Sequence, residues 1–149
     1  MNKLVTEFKN LATERNMPLN ERELENDQLL FTGSFRLEKA RSIPFGLVID
    51  GTENKKIVDY QVMYNKIAYL TNFGKKGELL GYLNNLNALK SGYYHFVLRD
   101  DGEVYLRMLS RASEADVKVL YELFIFGGNI AQKVNPELQK FVNNLNGDA

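Results

Sequence analysis

An α+β domain, with an antiparallel sheet backed by helices, is the fold class that three observations predict. In residues 57–65 the apolar Val58, Tyr60, Val62 and Tyr64 alternate with Asp59, Gln61 and Asn65, the period of a half-buried strand. Asp100-Asp101-Gly102 stands between two strand-like runs, the signature of a hairpin turn. Apolar stripes at helical spacing open the chain, divide it and close it. The length, 149 residues with 44% hydrophobic and 26% charged, suits one domain spanning 1–149. A chain of that size buries roughly two-thirds of its unfolded surface, enough for a core without covalent staples.

The elements follow in order. Leu4, Phe8 and Leu11, with Val5 and Ala12 beside them, make the first helical stripe, and Asn16 and Pro18 stop it. Glu21, Glu23, Glu25 and Asp27 around Arg22 read as a solvated linker rather than a cation site, because nothing converges on them. Three strands are expected next. Residues 29–37 carry Phe31, Gly33 and Phe35 on alternate positions, residues 43–50 are rich in β-branched and aromatic side chains, and 57–70 holds the alternating run. Asn65-Lys66 interrupts the third strand, as a bulge or a tight turn. A helix over 76–88 then buries Leu79, Leu80, Leu83 and Leu86, and Gly92 closes the connection.

The hairpin over 93–109 has two possible registers. A two-residue loop would set Phe96 against Arg107. A three-residue loop ending in a left-handed Gly102 sets Tyr94 against Met108, Phe96 against Leu106 and Leu98 against Val104. The second keeps every apolar pair on one face and is the expected one. It also places Arg99 opposite Glu103 and His95 opposite Arg107.

In the last third, Ser113 and Asp116 form a capping pair before a helix that is apolar most of the way round, through Val117, Val119, Leu120, Leu123, Phe124 and Phe126. Gly127-Gly128 is expected to break or kink it, Asn135-Pro136 to start a new piece, and residues 146–149 to fray. The order is α-β-β-β-α-β-β-α, with no internal repeat and no linker long enough to divide it.

Composition excludes whole classes of chemistry. With no cysteine there is no disulfide framework, thiolate nucleophile or cysteine-ligated metal, and a single histidine, His95, excludes multi-histidine sites. Nineteen basic residues balance nineteen acidic ones, so no global field draws in nucleic acid. The longest apolar window, 117–125, is broken by Lys118 and Glu122, and residues 1–7 lack the features of a leader. A cytoplasmic protein is the expectation.

A resemblance enters at residues 79–124. Leu-Asn-Asn-Leu-Asn at 83–87 precedes an aromatic strand, then Arg99-Asp100-Asp101-Gly102-Glu103-Val104, Leu106-Arg107 and a capped helix at Ser113. This stretch is similar to the YbjN family, whose fold resembles the chaperones of type III secretion. The resemblance implies a helix-backed antiparallel sheet, dimers, and a binding role without catalysis. The helix at Asn135-Pro136 lies outside the family pattern.

Catalytic constellations are weak. His95 has Ser91 as its nearest serine and no Gly-x-Ser-x-Gly elbow, so it reads as a strand histidine. Asp100-Asp101, and Asp50 with Glu53, are explained by turns. No cofactor or metal is expected. Gly74-Lys75-Lys76-Gly77 resembles a phosphate-clamping loop, but it follows a strand, whereas the clamp of that kind joins two helices. The remaining candidate is the sheet face opposite the core, where the chosen register gathers Tyr93, His95, Val97, Tyr105, Arg107 and Leu109. Tyrosine and arginine together are what protein interfaces use as anchors. The expectation is therefore a non-enzymatic, chaperone-like or regulatory protein-binding module that dimerises through 117–126. The alternatives are nucleic-acid binding through Lys75 and Lys76, and a small-ligand pocket.

Overall fold

The computed structural model describes residues 2–38 and 40–147. Helix α1 (Lys3–Glu14) is followed by four strands, β1 (Asn20–Glu23), β2 (Gln28–Glu38), β3 (Arg41–Asp50) and β4 (Ile57–Tyr69). A 3₁₀ turn, Phe73–Lys75, leads into α2 (Lys76–Leu89). The hairpin β5 (His95–Leu98) and β6 (Glu103–Ser113) comes next, then a second 3₁₀ turn, Glu114–Asp116, and α3 (Val117–Asn146). The strands form one antiparallel sheet in the order β1-β2-β3-β4-β6-β5.

Helices α1, α2 and α3 pack on one face of this sheet. Phe31, Phe45, Leu47, Ile49, Val62, Tyr64, Leu106 and Phe96 point toward them and are buried with Phe8, Leu83 and Phe124 in one core. Among the described residues, no helix covers the opposite face. The alternation over 57–65 is thus real: Val58, Tyr60, Val62 and Tyr64 are buried, and the residues between them are not.

The hairpin adopts the three-residue loop. His95 pairs with Arg107, Phe96 with Leu106 and Leu98 with Val104, and Gly102 supplies the left-handed φ of 94°. Asn65-Lys66 is a bulge: the β4–β6 register shifts between Tyr64 and Ala68, with Lys66 at φ 57°. Side chains from elsewhere hold it. Arg41 donates to the carbonyls of Lys66 and Ile67, Gln139 donates to that of Ile67, and the Lys66 amide donates to Glu103 Oε2 at 3.0 Å.

Four expectations need correction. The acidic stretch is not a linker: Asn20–Glu23 forms an edge strand, because pairing with β2 uses only backbone and leaves all four side chains in water. Leu80 is 46% exposed, since it sits one residue, about 100°, off the Leu79–Leu83–Leu86 stripe. The last helix is unbroken through Gly127, Gly128 and Pro136. A Cβ at Gly127 would lie 2.5 Å from both Tyr64 Cε2 and Tyr94 Cζ, and one at Gly128 would lie 2.6 Å from Phe35 Cε2. These glycines serve close packing of sheet aromatics against the helix, and that packing overrides propensity. Finally, Asn146 is tied down. Its side chain accepts from the Thr71 and Asn72 amides and donates to the Tyr69 carbonyl, and Gly147 closes the helix in the left-handed conformation. Asp148 and Ala149 lie outside the described residues.

Candidate functional site

Cross-strand register assembles the bare face row by row. One row reads Leu30, Val48, Gln61 and Leu109, and the next reads Asn20, Thr32, Gly46, Met63, Arg107 and His95. Val97 and Tyr105 pair in a third. Leu109 is 60% exposed and Ile57, on the same side of β4, is 51% exposed. Gly46 has no side chain to fill its place. The result is a shallow depression of about 460 Å³, walled by Leu30, Pro44, Met63 and Asn65. These residues escaped the sequence reading, although a glycine inside a run of strand formers is the signal for such a gap.

The charges on this face are unevenly satisfied. Asp59 accepts from Arg111 Nε at 2.9 Å. Glu103 lies 3.7 Å from Arg99 Nε and accepts from the Lys66 amide, while the Arg99 guanidinium stacks 3.9 Å above the Tyr105 ring. Arg107 differs. Its Nη2 donates to Gln61 Oε1 at 3.3 Å, no carboxylate pairs with it among the described residues, and its Nε is buried without a partner. Asn65 Oδ1 is likewise buried and unpartnered. A buried donor or acceptor left unmade costs about 1–3 kcal/mol.

The other candidates fall elsewhere. The face does gather His95, Tyr105 and Arg107, with Tyr105 nearly covered by Arg99. Tyr93 does not join them: it precedes β5, is 66% exposed, and packs edge-on against Phe126 of α3 at 6.2 Å on the helix side. Ser91 donates its hydroxyl to the Asn87 carbonyl at the end of α2, a helix-terminus bond. Lys75 ends the 3₁₀ turn and pairs with Glu78 at 3.3 Å, and Lys76 begins α2, both exposed. Asp101 accepts from the Glu103 amide at 2.9 Å within its turn.

Asp50 also serves its turn. It accepts from Lys55 Nζ at 2.7 Å, the Thr52 hydroxyl at 2.6 Å and the Thr52 amide at 3.0 Å. The Lys55 bond, seconded by Thr52, holds its carboxyl down at about 2. Among the described residues no three His, Asp or Glu side chains converge on a common point, and no helix is long and apolar enough to cross a membrane.

One edge of the sheet is closed by a side chain. The Phe96 amide donates to Asn87 Oδ1 at 2.6 Å, and Asn87 Nδ2 donates to the Phe96 carbonyl at 3.0 Å. Asn87 of α2 thus takes the place of a neighbouring strand, a device that blocks pairing with other chains.

The fold is therefore an α+β sheet with helices on one side only. No protein-family model matches the chain, and no curated protein matches it.

Proposed function

We propose that this chain is a protein-binding module, chaperone-like or regulatory, which acts by holding a partner segment on the bare face of its sheet rather than by catalysis. The observation that carries this reading is the uncovered six-stranded face, which leaves Leu109 and Ile57 exposed and holds the Gly46 depression. Large apolar side chains left exposed on an uncovered sheet face mark interaction sites. The resemblance to the YbjN family supports the same reading. With it goes a homodimer formed through residues 117–126, where Val119 and Phe126 stand exposed seven residues apart on α3.

The test is affinity capture by the tagged chain from its native lysate, with and without nuclease, beside Leu109→Glu. A protein retained after nuclease and lost with Leu109→Glu supports the reading. Equal capture by both chains removes the sheet face from it. Material lost on nuclease treatment alone transfers the role to nucleic acid and to Lys75 and Lys76.

A further inference from the structure

Resting on that reading, we infer that the partner segment is acidic: it places a carboxylate on Arg107 and an apolar side chain in the depression over Gly46. Five of the chain's seven arginines, Arg22, Arg36, Arg99, Arg107 and Arg111, share the bare face. The two carboxylates within it, Asp59 and Glu103, are already engaged by Arg111 and Arg99, and Asp50 at the end of β3 is engaged by Lys55. Glu38 stands at the far end of β2. Arg107, on the central row, faces its neighbours without a carboxylate: Met63 on one side, His95 on the other, and Gln61 as its amide contact.

Arg107 is half-buried, so its guanidinium is partly stripped of water and has an amide but no carboxylate to offset that loss. An extended peptide can bring the carboxylate. Gly46 and Arg107 lie on one row with β4 between them. Two strand spacings separate them by about 9.5 Å, which three residues of polyproline-like chain cover with both side chains on the same side. The recognised pattern is thus an apolar residue and an Asp or Glu three positions apart. A single-stranded nucleic acid fits less well. Base stacking needs open aromatic faces; Tyr105 already has Arg99 on its ring, and the exposed Tyr69 stands opposite Glu103, whose carboxylate repels a phosphate.

The test selects dodecapeptides from a random display library on the full chain, on Arg107→Gln and on Gly46→Val, each first shown by its melting transition to be folded. A Cβ at Gly46 meets only Leu30 Cδ1 at 3.4 Å and Met63 Cε at 3.9 Å, ordinary contacts, so the second variant fills the depression without a Cβ clash. The parent pool is expected to gain Asp and Glu at least threefold over input, three positions from an apolar residue. The Arg107→Gln pool loses the acidic gain, and the Gly46→Val pool loses the apolar one. For a selected peptide, changing its carboxylate to the amide weakens binding about tenfold to the parent chain and less than twofold to Arg107→Gln. Peptides bound on the sheet face without acidic enrichment, or with equal enrichment on Arg107→Gln, overturn the inference and leave the protein-binding reading standing. A library that yields no binder on that face overturns both. Arg107-dependent retention of a twelve-nucleotide oligouridine in place of peptide overturns both in favour of RNA.

Discussion

The same substitution at two helical glycines is predicted to change stability in opposite directions. Gly81 lies inside α2, faces solvent, and a Cβ there meets nothing within 4 Å. Gly81→Ala therefore collects only the helix-propensity gain, about 1 kcal/mol. Gly127 lies inside α3, where the same gain applies, but the added Cβ would stand 2.5 Å from Tyr64 and 2.5 Å from Tyr94. Neither ring can swing aside. Both are buried, the Tyr64 hydroxyl donates to the Phe124 carbonyl, and the Tyr94 hydroxyl donates to the carbonyls of Leu123 at 2.7 Å and Phe124 at 3.3 Å. Overpacking of this kind costs about 1–3 kcal/mol per site, and two fixed rings place Gly127→Ala at the upper end. The net loss is about 2 kcal/mol. For a chain of this length each kcal/mol moves Tm by about 2–4 °C. Thermal unfolding followed by circular dichroism should show Gly81→Ala melting about 3 °C higher and Gly127→Ala about 4–8 °C lower. A Gly127→Ala chain as stable as the parent would refute the claim that α3 is glycine-bearing because of what packs on it.

Three further outcomes are expected. Asp50→Asn should lower stability by about 1–2 kcal/mol at pH 7, a figure discounted for the exposed Lys55 ammonium. The folded carboxyl lies at about 2, below its ordinary 3.8, so its contribution is complete above the higher value and fades as pH falls toward the lower. The gap in Tm between parent and variant should close between about pH 4 and pH 2, and a gap that stays constant to pH 2 sinks the assignment. Pro136→Ala should raise the urea midpoint, by up to about 3 kcal/mol of stability, because it restores an amide to the interior of α3 at an exposed position; an unchanged midpoint counts against it. Light scattering at micromolar concentrations should report twice 17.1 kDa and fall to one chain with Phe126→Asp. A single-chain mass throughout removes the dimer.

Local rules made much of the fold legible. Period-two alternation located β4, and the demand that Tyr94, Phe96 and Leu98 share a face with their partners was enough to choose the hairpin register. What stayed illegible depends on partners distant in sequence. Gly127 and Gly128 read as breaks because propensity knows nothing of Phe35, Tyr64 and Tyr94, which press against the helix from segments 30 or more residues away. β1 read as a linker because its side chains carry no pattern, and strand pairing is a backbone property. At the site, His95, Tyr105 and Arg107 were legible from strand parity alone. Gly46, Met63 and Asn65 were not, since their place beside Arg107 follows from the order β3-β4-β6, and that order brings β6 in from beyond α2 and β5 to lie against β4. Tyr93 failed for a simpler reason: strand alternation was extended two residues past the point where β5 begins.

The seat of α3 has a consequence for how the chain reaches this state. Phe124 accepts from Tyr64 on β4 and from Tyr94 just before β5, two segments that are not neighbours in the sheet. The helix's native seat is complete only when the segments carrying Tyr64 and Tyr94 are both in place, and it is also the last of these elements to be synthesised. Until then the apolar side of the sheet has no cover from it. Closure of such long-range contacts is slow relative to helix formation, so refolding should be limited by one late step that seats α3. During that interval the helix-facing surface, not the bare one, is where the nascent chain is most exposed to unwanted association.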